Sequence, residues 1–202
     1  MKKFWKALAL VGCALLLVVA SVAGTYAILT SKTATVSNTF TAGNVQITLD
    51  ETDYDVYGLN KETDDRVTTN EYKLIPGHTY LKDPTIHVTK ESEVCYLFVR
   101  VVDGLVDIQD ANATVAASMT AAGWAPLEVD EATVENVWVY NQKVDARTEA
   151  KDIPVFTTFA IKQDANVAGY TGKTIQVTAY AAQADGFATA DLAWKAAGNA
   201  FN

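Results

Sequence analysis

Cysteine, histidine and proline are scarce in this chain, and each scarcity excludes something. Its 202 residues hold two cysteines, two histidines and four prolines. Cys13 sits in an apolar N-terminal run, so removal of that run leaves only Cys95 and no intramolecular disulfide. His78 and His87 do not stand in a His-Glu-x-x-His pattern, so the zinc-helix signature of many metallopeptidases is missing. No Gly-x-Ser-x-Gly elbow marks a serine nucleophile. No glycine-rich phosphate loop and no basic patch with interleaved aromatics occurs. After the N-terminal run there is no second apolar span and no Leu-Pro-x-Thr-Gly sorting pattern.

The N-terminal run itself is the most informative segment. Lys2, Lys3 and Lys6 form a basic start without acids, residues 7–23 are largely apolar, and Gly24-Thr25-Tyr26-Ala27 follows. Positive charge, then an apolar stretch, then small residues is the order of a secretory signal peptide. An uncleaved membrane anchor is the main competing reading, since the stretch lies near the lower length limit for a span. A lipobox at Leu10-Val11-Gly12-Cys13 is a weaker one, because apolar residues continue after the cysteine. The small residues predict cleavage between Ala27 and Ile28, with a competing site after Ala23. Residues 1–27 are therefore assigned as signal peptide, and the chain is expected to be secreted or to act at the cell surface.

Without those 27 residues, which carry three lysines and no acid, 175 residues remain. They hold 13 bases against 24 acids, a net charge of −11. That length suffices for one domain with its own core, so residues 28–202 are read as a single domain. Such an acidic surface repels nucleic acid and anionic lipid. No nucleic-acid partner is expected, and no membrane contact other than through the uncleaved signal.

Beyond residue 30 the dominant period is two. Val45, Ile47 and Leu49 alternate with Gln46, Thr48 and Asp50, the pattern of a half-buried strand. Residues 51–71 are polar and acidic and read as an exposed loop with room for a short hairpin. Pro76-Gly77 predicts a turn. Ile86 and Val88 define another inward face. Residues 94–102 are apolar on both faces apart from Arg100, which predicts a central strand covered on both sides. Strands are also expected over 134–140, 155–161 and 174–182. An alanine-rich helix is predicted over 111–122, ended by Gly123. A second short helix over 189–197 would dock Leu192 and Trp194. The sum is an all-β, jelly-roll-like β-sandwich with one or two short helices.

Few residues invite chemistry. The two histidines could serve zinc, yet nothing local supports that geometry, and they read as partly exposed polar residues. Cys95 lies in the most apolar strand, where burial makes a thiol inert. Asp53 and Asp55 share the spacing of calcium ligands but lack the remainder of a twelve-residue loop, so residues 51–71 leave calcium open. No catalytic, cofactor or metal residue is assigned, and no cofactor is expected.

Several segments carry a resemblance. Gly24-Thr25-Tyr26-Ala27, then Ala34-Thr35-Val36-Ser37-Asn38-Thr39-Phe40-Thr41-Ala42-Gly43-Asn44-Val45, resembles the TasA/camelysin family of exported bacterial proteins. Leu74-Ile75-Pro76-Gly77 with Lys82-Asp83 is similar to its Pro-Gly turn and following strand. Gly172-Lys173-Thr174-Ile175-Gln176-Val177 through Phe187 is similar to its closing strand. The resemblance implies a jelly-roll sandwich cut from its precursor by a SipW-type signal peptidase. In the TasA branch it implies biofilm matrix fibres in which each mature N-terminus adds a strand to the next subunit, a homo-polymer. The camelysin branch implies the alternative of a cell-surface metallopeptidase, and a monomeric adhesin is a third reading. Residues 28–40 would be the donated strand, with Val36 and Phe40 as its anchors. The same strand could equally close its own subunit's sheet.

Overall fold

The structure is a computed structural model, and it describes residues 30–33 and 45–198. The signal segment, the cleavage point at Ala27 and Ile28, and the strand anchors Val36 and Phe40 lie outside the described residues. Among the described residues twelve strands form three antiparallel sheets, accompanied by two short α-helices. The all-β, sandwich-like architecture predicted from the period-two pattern is the one the chain adopts.

The larger sheet is built on β6 (Ser92–Asp103) and β12 (Ile175–Gln183), which pair along their length from Ile175↔Asp103 to Gln183↔Cys95. β1 (Thr30–Thr33) flanks β12 on the outside. On the other side of β6 come β8 (Ala132–Tyr140) and then β7 (Trp124–Val129), and β9 (Val144–Ala146) also pairs with β6. The second sheet runs β10 (Lys151–Pro154), β5 (Thr85–Val88), β2 (Ile47–Tyr54), β3 (Lys61–Val67). β4 (Thr79–Leu81) and β11 (Thr158–Ala160) form a separate pair.

Both faces of β6 are covered, which explains its doubly apolar sequence. Cys95, Leu97, Val99 and Val101 point into the core shared with Ile47, Leu49, Ile86 and Val88 of the second sheet. Tyr96 and Phe98 point the other way, into a smaller cluster with Tyr180, Val137 and Leu127. Helix α2 (Ala190–Ala197) covers that cluster, with the Trp194 ring 5.1 Å from Phe98 and 5.9 Å from Tyr180. Ala193 and Ala197, four residues apart on one helix face, make the close contact. Leu192, predicted to dock, is instead 44% exposed, because it stands one residue off that face.

Helix α1 (Val115–Ala121) begins at Thr114, whose hydroxyl accepts from the Ala117 N–H at 3.0 Å. It ends before Gly123, at φ +93°, where glycine costs least. Gly77 holds φ +72° in the predicted Pro-Gly turn, and an added Cβ would fall 2.2 Å from the Gln163 side-chain oxygen.

The hairpin that the exposed segment 51–71 left room for takes up about half of it: β2 continues to Tyr54 and β3 returns from Lys61 to Val67, almost wholly exposed. Their polarity reflects an edge hairpin reaching past the core. The expected single strand over 155–161 is broken. β10 pairs with β5, β11 pairs with β4, and Val155 and Phe156 turn inward between them. Ser118 Oγ accepts from the Thr157 and Thr158 N–H groups across the break, at 3.1 and 3.4 Å.

Candidate functional site

The feature that bears on the expected strand donation is the outer edge of β12. Ala179 and Ala181 are fully buried against the inter-sheet core, and Tyr180 and Ala182 are buried in the cluster beneath α2. β6 occupies one backbone edge of β12, and β1 occupies the other. The contact with β1 is a ladder of four rungs, from Thr30↔Ala182 to Thr33↔Ala179. Sheet edges carry unpaired N–H and C=O groups, and a buried backbone group without a partner is costly. A strand whose side chains are sealed on both faces therefore requires a neighbour on that edge. The segment that fills it lies just beyond the predicted cleavage point.

The residues weighed for chemistry are all engaged structurally. His87 stands between two carboxylates: its Nε2 is 2.8 Å from Asp50 Oδ1 and its Nδ1 is 2.7 Å from Asp152 Oδ1. The carboxylates meet opposite nitrogens of the ring, so the three groups do not converge on one ion. Asp50 also pairs with Arg66, whose guanidinium lies 3.6 Å from Asp83. Asp83 accepts from the Thr52 N–H at 2.8 Å and its hydroxyl at 2.7 Å. This polar chain crosses β10, β5, β2 and β3 and ties the second sheet together.

His78 places Nε2 2.7 Å from the Tyr57 carbonyl, and its ring meets Tyr80 edge-on at 4.6 Å. Cys95 is buried, and desolvation pushes its thiol up to about 12. Asp55 accepts from the N–H groups of Leu59 and Tyr57 and from the Asn60 amide, bonds that hold its carboxyl below the ordinary aspartate value. Asp53 accepts from the Thr63 hydroxyl at 2.6 Å. Among the described residues no three His, Cys, Asp or Glu side chains are grouped to hold a metal ion. No helix among them is long and apolar enough to cross a membrane.

Sequence reasoning missed one site. A cavity of about 850 Å³ opens between β2 and β12. An ion pair between Glu51 and Lys82 lies in its wall, with Glu51 only 4% exposed. The alternation of Val45, Ile47 and Leu49 places Glu51 in the inward phase, so the signal was present, masked by the acidic run that follows.

Comparison with protein-family models, with curated proteins and with solved structures finds no match to this chain.

Proposed function

We propose that this chain is a secreted structural protein of the extracellular or biofilm matrix, of the TasA/camelysin type, which assembles into fibres by strand donation. A SipW-type peptidase would cut after Ala27 and free residues 28–40. The observation that carries the reading is the β1–β12 ladder. A doubly covered strand takes its outer partner from four residues next to the expected cut. A neighbour's copy of the same segment satisfies the same backbone groups, because ladder bonds do not depend on which chain supplies them. A donated strand is a heterologous contact, so the product is an open-ended polymer rather than a closed dimer. Val36 and Phe40 would supply the side-chain anchors.

Negative-stain microscopy of protein lacking residues 1–27 tests this directly. Filaments support the reading. Monomers with chelator-sensitive casein cleavage would favour a surface metallopeptidase, and monomers without it an adhesin.

A further inference from the structure

The ladder that β1 forms on β12 covers only half of it. Its last rung sets Thr33 opposite Ala179, and among the described residues no strand covers the outer edge of β12 from Ile175 to Thr178. The cavity of about 850 Å³ begins where the ladder ends. Ile175, Gln176 and Val177 form one wall, while Leu49 of β2, Val67 of β3 and Asn70 line it elsewhere. An open strand edge presents N–H and C=O groups that require partners. A wall that mixes such groups with apolar and polar side chains suits an added peptide strand.

Continued in the register of β1, Ala34, Thr35, Val36 and Ser37 stand opposite Thr178, Val177, Gln176 and Ile175. They would carry the ladder through the cavity and add four rungs to the four already there. The subunit's own chain lacks the length for this. The Gln46 N–H donates to Ser92 Oγ at 3.1 Å, so β2 starts at the Ser92 end of β6. Ile175 pairs with Asp103, at the other end of β6. The 12 residues of β6 span about 36 Å at roughly 3.3 Å per residue. From Ser37 to Val45 the chain has eight steps, a reach of at most about 29 Å. It cannot bring Ser37 to Ile175, start β2 beside Ser92 and also make the turn that Thr41-Ala42-Gly43-Asn44 encodes. Thr33 is under no such constraint. It lies level with Val99, nearer the Ser92 end, and twelve steps separate it from Val45.

We infer that the cavity receives residues 34–37 of a second copy of this chain, and that the rungs they add favour a neighbour's strand over the subunit's own. A donor escapes the length limit because its chain leads back to its own β2 and not to that of the acceptor. The inference rests on the strand donation proposed above. It adds where in the acceptor the strand runs and why donation outcompetes self-pairing.

Cross-linking tests it. Subunits carrying Ser37→Cys are mixed with subunits carrying Ile175→Cys, assembled and oxidised, since opposed ladder residues lie within disulfide reach. Disulfide-linked heterodimers are expected. The Ser37→Cys/Ile175→Cys double variant, kept dilute as a monomer, should close no disulfide within its chain. Thr35→Pro with Val36→Pro removes two successive N–H groups, one of which must point at β12 whatever the phase of the pairing. This pair of substitutions should slow elongation at least tenfold and leave the urea melt of the monomer unchanged. Filaments that cross-link between Thr33→Cys and Ala179→Cys subunits but not between Ser37→Cys and Ile175→Cys subunits would leave strand donation standing and overturn this inference. Closure of the disulfide within the monomeric double variant, or undiminished elongation by the proline variant, would overturn it as well. Protein that forms no filaments would remove strand donation, and this inference with it.

Discussion

Thr33 stands opposite Ala179 in the inner rung of the ladder that joins β1 to β12. Ala179 is fully buried, so the backbone edge that Thr33 covers belongs to the core and not to the surface. This places an edge strand of four residues against one of the best-covered strands of the molecule. By contrast, β12 and β6 are paired over the whole of β12. The β1 contact is the smaller of the two, and the one whose exchange between subunits leaves the remaining sheet intact.

Phe98 is fully buried on the helix-covered face of β6. Phe98→Ala should cost about 3–5 kcal/mol, the usual loss for truncating a large buried ring. Thr69→Ala, on the exposed segment after β3, should stay within about 0.5 kcal/mol. Urea melts measure both. Equal losses would show that β6 is not central.

The Glu51–Lys82 pair is nearly buried on both sides. Lys82→Met leaves a carboxylate uncompensated and should cost about 3–5 kcal/mol. Adding Glu51→Leu should recover most of that loss, since an apolar pair of similar volume avoids desolvating two charges. A double variant as unstable as the single one would show that the loss came from packing rather than charge.

Asp103 contributes one part of the pH dependence. Burial raises its carboxyl above the ordinary aspartate value, against bonds donated by the Leu105 N–H at 2.8 Å and the Gln109 amide at 2.6 Å. The folded state therefore holds the proton more tightly than the unfolded one. Its contribution to stability is complete below the ordinary value of about 3.9 and is lost as pH rises through the raised one. Asp103→Asn removes this titration. The stability of the unchanged protein relative to the variant should thus fall as pH rises across that window, and a relative gain would contradict the assignment.

Cys95 should not react with a thiol reagent while the chain is folded, because burial keeps the thiol protonated and out of reach. Modification should track global unfolding in urea. Rapid labelling without denaturant would contradict the packing of β6.

Much of the sandwich was legible from period-two patterning. The inward faces of Val45, Ile47 and Leu49, and of Ile86 and Val88, are those the alternation predicts, and the doubly apolar run of β6 is central. The β7–β8 hairpin was not legible. Its turn, Asp130-Glu131, takes φ +54° and +65° without a glycine or asparagine to announce it. Pro126 in β7 also argues against a strand, and is tolerated because β7 is a sheet edge. The break at Val155 and Phe156 was hidden because residues 155–161 read as one continuous apolar and β-branched run, while the two charges and the proline of β10, Lys151-Asp152-Ile153-Pro154, concealed a strand before it. Glu51 was legible as an inward-phase residue of β2, but its partner was not, because Lys82 lies 31 residues further on, after β4, and meets it only in the folded chain.

Val36→Asp should slow fibre elongation, since a strand entering a neighbour's sheet would bury an unpaired charge. Deleting residues 28–40 should leave a monomer that folds with lowered stability, because β12 loses its four outer rungs, and that does not elongate. Filaments formed normally by the deletion variant would remove this segment as donor, and its failure to fold would return the segment to its own subunit.

The most direct measurement asks whose β1 lies beside β12 in the assembled state. Subunits carrying Thr33→Cys are mixed with subunits carrying Ala179→Cys, assembled and oxidised. Directly opposed residues in a ladder bring their Cβ atoms to about 4.5–5.5 Å, close enough for a disulfide after small adjustment. Strand donation predicts disulfide-linked heterodimers containing one chain of each kind, identified by mass. If the mixture yields none, while the Thr33→Cys/Ala179→Cys double variant closes its disulfide within one chain, each subunit keeps its own strand and the account of assembly is wrong.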